Sequence, residues 1–167
     1  MATRYKVAPG PPTMDALRSV HAALPLVPEN VSDCCARVVD RTSVSNREDA
    51  REWITFLRAL GLAEETDRGY QRVGTDVSAA AVRDPFAGHV FGVAELLAAL
   101  DGPEATTVDD GFEALRPVIP EWEHERHPDW EAVWADRTRR LLEWCVTLGL
   151  ATSVEGGYRS VPVADRE

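Results

Sequence analysis

The apolar residues Ala50, Trp53, Ile54, Leu57 and Leu60 recur at intervals of three and four, the spacing of a single stripe on an α-helix. The stripe predicts a helix over about Asn46 to Leu60 with one buried side. Ser45 followed three residues later by Glu48 has the pattern of a capping box, in which hydroxyl and carboxylate satisfy N–H groups that the first turn leaves unpaired. Gly61 suits the left-handed residue that ends many helices. Beyond it the pattern changes to a short strand from Leu62, a turn at Asp67-Arg68-Gly69 and a returning strand from Tyr70 to Val73. Upstream, Met14 to Leu24 is a short amphipathic run after Thr13, and Asn30 to Val39 begins with a side chain suited to N-capping.

The same succession returns further along. Residues 47–73 align without a gap on residues 135–161, with eight identities: Arg51 with Arg139, Leu60-Gly61-Leu62-Ala63 with Leu148-Gly149-Leu150-Ala151, Gly69-Tyr70 with Gly157-Tyr158, and Val73 with Val161. Trp130, Trp134, Leu141, Cys145 and Leu148 form the second buried stripe, Gly149 the stop, and Glu155-Gly156-Gly157 the hairpin tip. Val90 to Leu100 and Thr107 to Val118 supply the two preceding helices. The repeated object is a supersecondary unit of two helices, a longer helix and a hairpin.

This unit resembles the winged helix-turn-helix domain, whose third helix runs through a Leu-Gly-Leu-like element into the wing; Leu60-Gly61-Leu62 and Leu148-Gly149-Leu150 carry the likeness. The expected fold is therefore mainly α with small β-hairpins, as two tandem winged-helix domains produced by internal duplication. The expected divisions are an N-terminal arm at 1–12, a first module at 13–83, a second at 84–163 and a frayed tail at 164–167.

Composition adds a host and an asymmetry. Acids outnumber bases to a net charge of −10, and Lys6 is the only lysine. That acidic, arginine-biased balance resembles proteins of salt-loving archaea, whose acidic surfaces keep them soluble at high salt. Residues 1–83 hold eleven acids and eleven bases, whereas residues 84–167 hold seventeen acids and seven bases. The net charge thus belongs to the second half, which implies a division of labour. Without a bilayer-length apolar run or the layout of a signal peptide, the chain is expected to be cytoplasmic and to have no membrane partner. Cys34, Cys35 and Cys145 form neither a C-x-x-C pair nor an even disulfide framework and are expected to be reduced and buried.

The resemblance implies that the helix beginning near Asn46 is the recognition helix, which lies in the major groove of double-stranded DNA. Arg47, Arg51 and Arg58 fall along a stripe bordering its apolar face. With Arg37 and Arg41 on the preceding helix and Arg68 and Arg72 on the hairpin, the first module has the groups for phosphate contact and some base readout. The same arginines can equally form solvated pairs with Asp40, Glu48, Asp49 and Glu52. A neutral module attracts DNA poorly at low salt, but at high salt, where counterion release is suppressed, binding rests on hydrogen bonds and shape.

The second module is the poorer DNA reader. Pro120 to Trp130 (PEWEHERHPDW) is expected to be an acidic aromatic loop beside its long helix, where the first module has a short turn. Its Trp122, His124, His127 and Trp130 form the alternative surface, for a protein partner, and a homodimer is compatible with either reading. His124 and His127 also have metal-ligand composition, yet H-x-x-H in an acidic loop lacks the converging third and fourth ligands, so no metal is assigned. No nucleophile elbow, phosphate-cradling glycine loop or dinucleotide fingerprint occurs, so the reading is non-enzymatic and without a cofactor. His21 and His89 sit on expected helices without a nearby carboxylate. Arg4 and Lys6, ahead of the Pro9-Gly10-Pro11-Pro12 break, could serve a minor-groove arm, although an ordinary arm or extra edge strand is the simpler expectation.

Overall fold

The computed structural model describes Tyr5 and residues 8–166, so the arm residues Arg4 and Lys6 lie outside the described residues. The chain divides into two units, Met1–Phe91 and Gly92–Glu167.

Unit 1 contains α1 (Met14–Ala23), α2 (Val31–Arg41), α3 (Arg47–Ala59), β1 (Ala63–Thr66), β2 (Gly69–Arg72) and α4 (Ala79–His89). Thr13 and Asn30 cap α1 and α2 as expected, their side chains accepting from the N–H groups of Ala16 and Asp33. The cap of α3 is Asn46 rather than Ser45. Its Oδ1 accepts from the N–H of Asp49 at 2.8 Å and its Nδ2 donates to the Asp49 carboxylate at 3.0 Å. The expected Ser45/Glu48 box is displaced by one residue because the amide can serve both partners. The predicted stripe is the core: Ala50, Trp53, Ile54, Leu57 and Leu60 are all buried, with Phe56 beside them. Burial of such side chains contributes about 1.5–3 kcal/mol each.

The end of α3 is a Schellman motif. Gly61, at φ +77°, donates to the Arg58 carbonyl, and Leu62 donates to the Leu57 carbonyl. Strands β1 and β2 then pair antiparallel from Ala63 opposite Arg72 to Thr66 opposite Gly69. Helix α4 was expected to be helical only at its last residue, His89, since Pro85 and Gly88 interrupt the pattern before it. It spans positions 83–84 and is held to unit 1 by Phe86, whose ring meets that of Phe56 edge-on at 6.2 Å. His89 Nδ1 lies 2.9 Å from the Ala59 carbonyl, and Tyr5 pairs with Val90 as an isolated parallel bridge. His21 also holds backbone, its Nε2 lying 2.9 Å from the Val73 carbonyl.

Unit 2 contains α5 (Val93–Leu100), α6 (Val108–Leu115), a 3-10 turn at Arg116–Val118, α7 (Glu121–Arg126), α8 (Trp130–Thr147), β3 (Ala151–Val154) and β4 (Gly157–Ser160). Trp134, Leu141, Cys145 and Leu148 are buried as expected, with Trp144, while Trp130 is half-buried. The Schellman bonds recur, Gly149 to Val146 and Leu150 to Cys145, and so does the strand register, Ala151 opposite Ser160 to Val154 opposite Gly157. The chain after Pro162 makes a further 3-10 turn, Val163–Asp165, where a frayed tail was expected.

The expected loop Pro120 to Trp130 is instead largely helix α7. It is an insertion. Glu29 and Thr106 occupy matching places and lie 77 positions apart, whereas Gly69 and Gly157 lie 88 apart, so unit 2 has gained eleven residues between its second and third repeated helices. The buried face of α7 carries Glu123, fully buried, whose carboxylate lies 3.9 Å from Arg137 and 3.8 Å from His127.

Candidate nucleic-acid interface

The seven arginines singled out in unit 1 separate into two groups. Arg37, Arg58 and Arg72 are half-buried and engaged in the fold. Arg37 donates from Nε to the Ala23 carbonyl at 3.0 Å and pairs with Glu29 at 3.5 Å. Arg58 pairs with Glu65 at 3.6 Å and lies over the rings of Tyr70 and Tyr5, at 5.4 and 5.7 Å. The Tyr70 hydroxyl is raised above its ordinary range, chiefly by its hydrogen bond to Glu65 and then by burial. Arg72 donates its backbone N–H to the Pro25 carbonyl, and its Nε is buried without a hydrogen-bond acceptor.

The second group, Arg41, Arg47, Arg51 and Arg68, is exposed. Arg68 stands in the hairpin turn. Arg41 ends α2, and Arg47 and Arg51 occupy the first and second turns of α3. Arg47 donates to the Ser32 hydroxyl at 2.9 Å, which draws its guanidinium across to the first turn of α2. The ion pairs found among the described residues of unit 1 engage Arg18, Arg37 and Arg58.

Between α2 and α3 runs a groove in two stretches. One, of ≈ 560 Å³, is lined by Val31, Ser32, Cys35, Arg47, Glu48 and Arg51. The other, of ≈ 660 Å³, is lined by Ala36, Arg37, Val39, Asp40, Arg41 and Arg47. Arg47 belongs to both. Sequence reasoning placed these arginines on the right helices but missed the groove, because Ser32 and Cys35 carry no signal until α2 and α3 are packed together.

Unit 2 has lost this arrangement. The positions matching Arg37, Arg41, Arg47, Arg58, Arg68 and Arg72 are Ala114, Val118, Ala135, Val146, Gly156 and Ser160; only Arg51 keeps its counterpart, Arg139, and that is ion-paired with Asp136. Ser32 is matched by Asp109 and Cys35 by Phe112. The Phe112 ring lies 5.9 Å from Trp130, Arg116 lies over both rings, and Arg116 is fixed by Glu113 and Glu131. His124 stacks on the other partner in this plate, Trp130, at 3.8 Å. An aromatic plate thus stands where unit 1 has its groove.

A family model, Halobacterial double winged helix domain, matches residues 3–164. The chain belongs to this family. No curated protein and no solved structure matched the chain. Winged-helix domains generally serve DNA-binding or regulatory roles, and this double winged helix protein shares their helix-turn-helix and wing twice over. Among its described residues no helix is long and apolar enough to cross a membrane.

Each histidine has a partner within its own unit: His21 and His89 lie against backbone carbonyls, His124 stacks on Trp130 and His127 lies near the Glu123 carboxylate. His124 and His127 do not converge with a third ligand, and among the described residues no group of three or more His, Cys, Asp or Glu side chains is placed to hold a metal ion. The three thiols are free and buried. Burial pushes Cys145 up to about 12, and burial with the nearby Glu29 pushes Cys34 up to about 11. Cys35 is also raised by burial, against the opposing pull of Arg51 and Arg47 above it.

Proposed function

We propose that this protein is a DNA-associated cytoplasmic regulator or chromosome-associated factor that contacts duplex DNA through unit 1, with unit 2 serving packing or dimerisation. The observation that carries the reading is the contrast between the copies. Arg51 on α3 and Arg68 in the wing are exposed where the winged-helix resemblance puts the DNA-facing surface, and the duplicate, which keeps a counterpart of Arg51 alone among the seven arginines, carries nearly all the net charge. Arg51 is the base-edge candidate, while Arg41 and Arg68 suit flanking phosphates.

The test is fluorescence anisotropy with a labelled duplex pool in molar KCl. Arg47→Ala with Arg51→Ala weakens binding by at least about tenfold while the circular dichroism spectrum is retained. A wild-type protein that binds no duplex at molar salt ends this reading.

The alternative is a non-enzymatic adaptor that binds another protein through unit 2. It is favoured by one specific feature: the inserted α7 presents Trp122, 48% exposed, on an otherwise acidic segment. A stoichiometric partner retained from a high-salt lysate after nuclease treatment, and lost on Trp122→Ala, supports the adaptor.

A further inference from the structure

We infer that the α2–α3 groove of unit 1 is a phosphate-binding site, and that Arg47 holds a phosphate oxygen rather than reading a base edge. The inference rests on the DNA reading above and assigns one subsite within it.

Three features of the groove converge on an oxyanion. The Arg47 guanidinium is held toward the first turn of α2 by Ser32 and lines the same space as Arg51. Val31 and Ser32 are the first two residues of an eleven-residue helix, whose N–H groups have no acceptor within the helix. Arg41 flanks the adjoining stretch that Arg47 also lines. Glu48 and Asp40 share the walls, which limits the site to one compact anion between the guanidinium groups and excludes a general polyanion sink. An arginine tied back toward α2 in this way is turned from the outward face of α3 that enters a major groove.

The duplicate supplies the control. At the matched positions unit 2 places Asp109 for Ser32, Ala135 for Arg47 and Phe112 for Cys35. A carboxylate at the helix start, no guanidinium and a ring on the floor together remove anion binding. Ser32→Asp and Arg47→Ala therefore copy the unit 2 residues at exposed positions where folding is insensitive to the change.

The experiment measures duplex affinity of the full chain against KCl concentration for several unrelated duplexes, and separately titrates inorganic phosphate while following the backbone amide of Ser32 and the Nε–H of Arg47 by NMR. Each variant is expected to weaken every duplex to a similar degree, about tenfold, and Arg47→Ala to reduce the salt slope by about one. Wild-type affinity in both variants, or a changed sequence preference in Arg47→Ala, overturns the proposal and leaves the DNA reading standing. Should wild type bind no duplex, shifts on inorganic phosphate that vanish in both variants sustain the site for a free phosphate while the DNA reading fails. Absence of both responses removes the site as well.

Discussion

Gly69 and Gly157 are among the eight identities of the repeat, and each is required by a contact about forty to fifty residues upstream. The tyrosine after each glycine exchanges two backbone hydrogen bonds with the residue ahead of the second helix, Tyr70 with Glu29 and Tyr158 with Thr106. A Cβ on Gly69 would lie 2.1 Å from the Glu29 carbonyl oxygen, and one on Gly157 would lie 2.3 Å from that of Thr106. Both glycines also adopt positive φ, +125° and +142°. Gly69→Ala is accordingly expected to destabilise the protein by roughly 2–4 kcal/mol in urea titration, since both strain and clash act at one residue. Gly61→Ala faces no neighbour within 4 Å and should cost only its left-handed backbone, about 1 kcal/mol. The sequence showed that these glycines recur but not which of them meets a carbonyl, because the steric partner is remote. The thiols make a second prediction at this scale. Cys34 and Cys145 ionise at about 11 and about 12 in the folded chain against 9.0 ordinarily, so above pH 9 the unfolded chain has lost protons that the folded chain keeps. Their contribution is intact below pH 9 and lost as pH rises toward 11–12, roughly 1 kcal/mol per thiol by pH 10. A Cys34→Ala, Cys145→Ala variant should show a flatter alkaline limb in urea titrations across that window.

At the scale of elements, what was legible was local. The helix stops, the hairpins and the buried stripes follow from spacing and from single glycines, and they appear where the pattern put them except at Trp130, which is half-buried. Elements stabilised by partners elsewhere were not legible. Helix α4 carries Pro85 and Gly88 and forms because Phe86 is buried beside Phe56 and its end is held at His89 and Val90. Helix α7 is six residues long, too short for a periodic signal, and is fixed by Glu123 reaching Arg137. That carboxylate is wholly buried, while Arg137 and His127 keep 26% and 34% of their side-chain exposure. Removing one member of a buried pair strands the other, and the residual solvent access of the cations reduces the penalty. Glu123→Ala should therefore destabilise the protein by about 1–3 kcal/mol and raise hydrogen exchange in α7 well above that in α5 and α6. Equal protection in the variant would show that α7 is held by its apolar contacts alone. The adaptor reading depends on this helix, which occupies the insertion that distinguishes the second copy from the first.

At the scale of the whole molecule the decisive quantity is the distribution of charge. Unit 1 holds twelve acids and eleven bases, and unit 2 sixteen acids and seven bases, so unit 2 carries −9 of the −10. Concentrated like charge destabilises a folded unit by self-repulsion, and screening relieves it; the Debye length falls from about 10 Å at 0.1 M salt to about 3 Å at 1 M. Unit 2 should therefore gain stability with KCl while unit 1, nearly neutral, gains little from the same cause. Four of the five tryptophans, Trp122, Trp130, Trp134 and Trp144, lie in unit 2, so after Trp53→Phe the fluorescence reports on that unit alone. The opposite variant, keeping only Trp53, reports on unit 1. The expected outcome is a thermal midpoint that climbs steeply with KCl for the unit 2 signal and weakly for Trp53, the two transitions separating at low salt and converging at molar salt. Coincident midpoints with equal salt dependence would mean that screening of unit 2 does not govern stability, and the acidity would then require an explanation outside folding. Duplex binding follows the opposite electrostatics, weakening with salt in proportion to the phosphates neutralised. On the DNA reading proposed above, the protein works where the two curves overlap, at salt high enough to hold unit 2 together and with contacts specific enough for unit 1 to retain DNA.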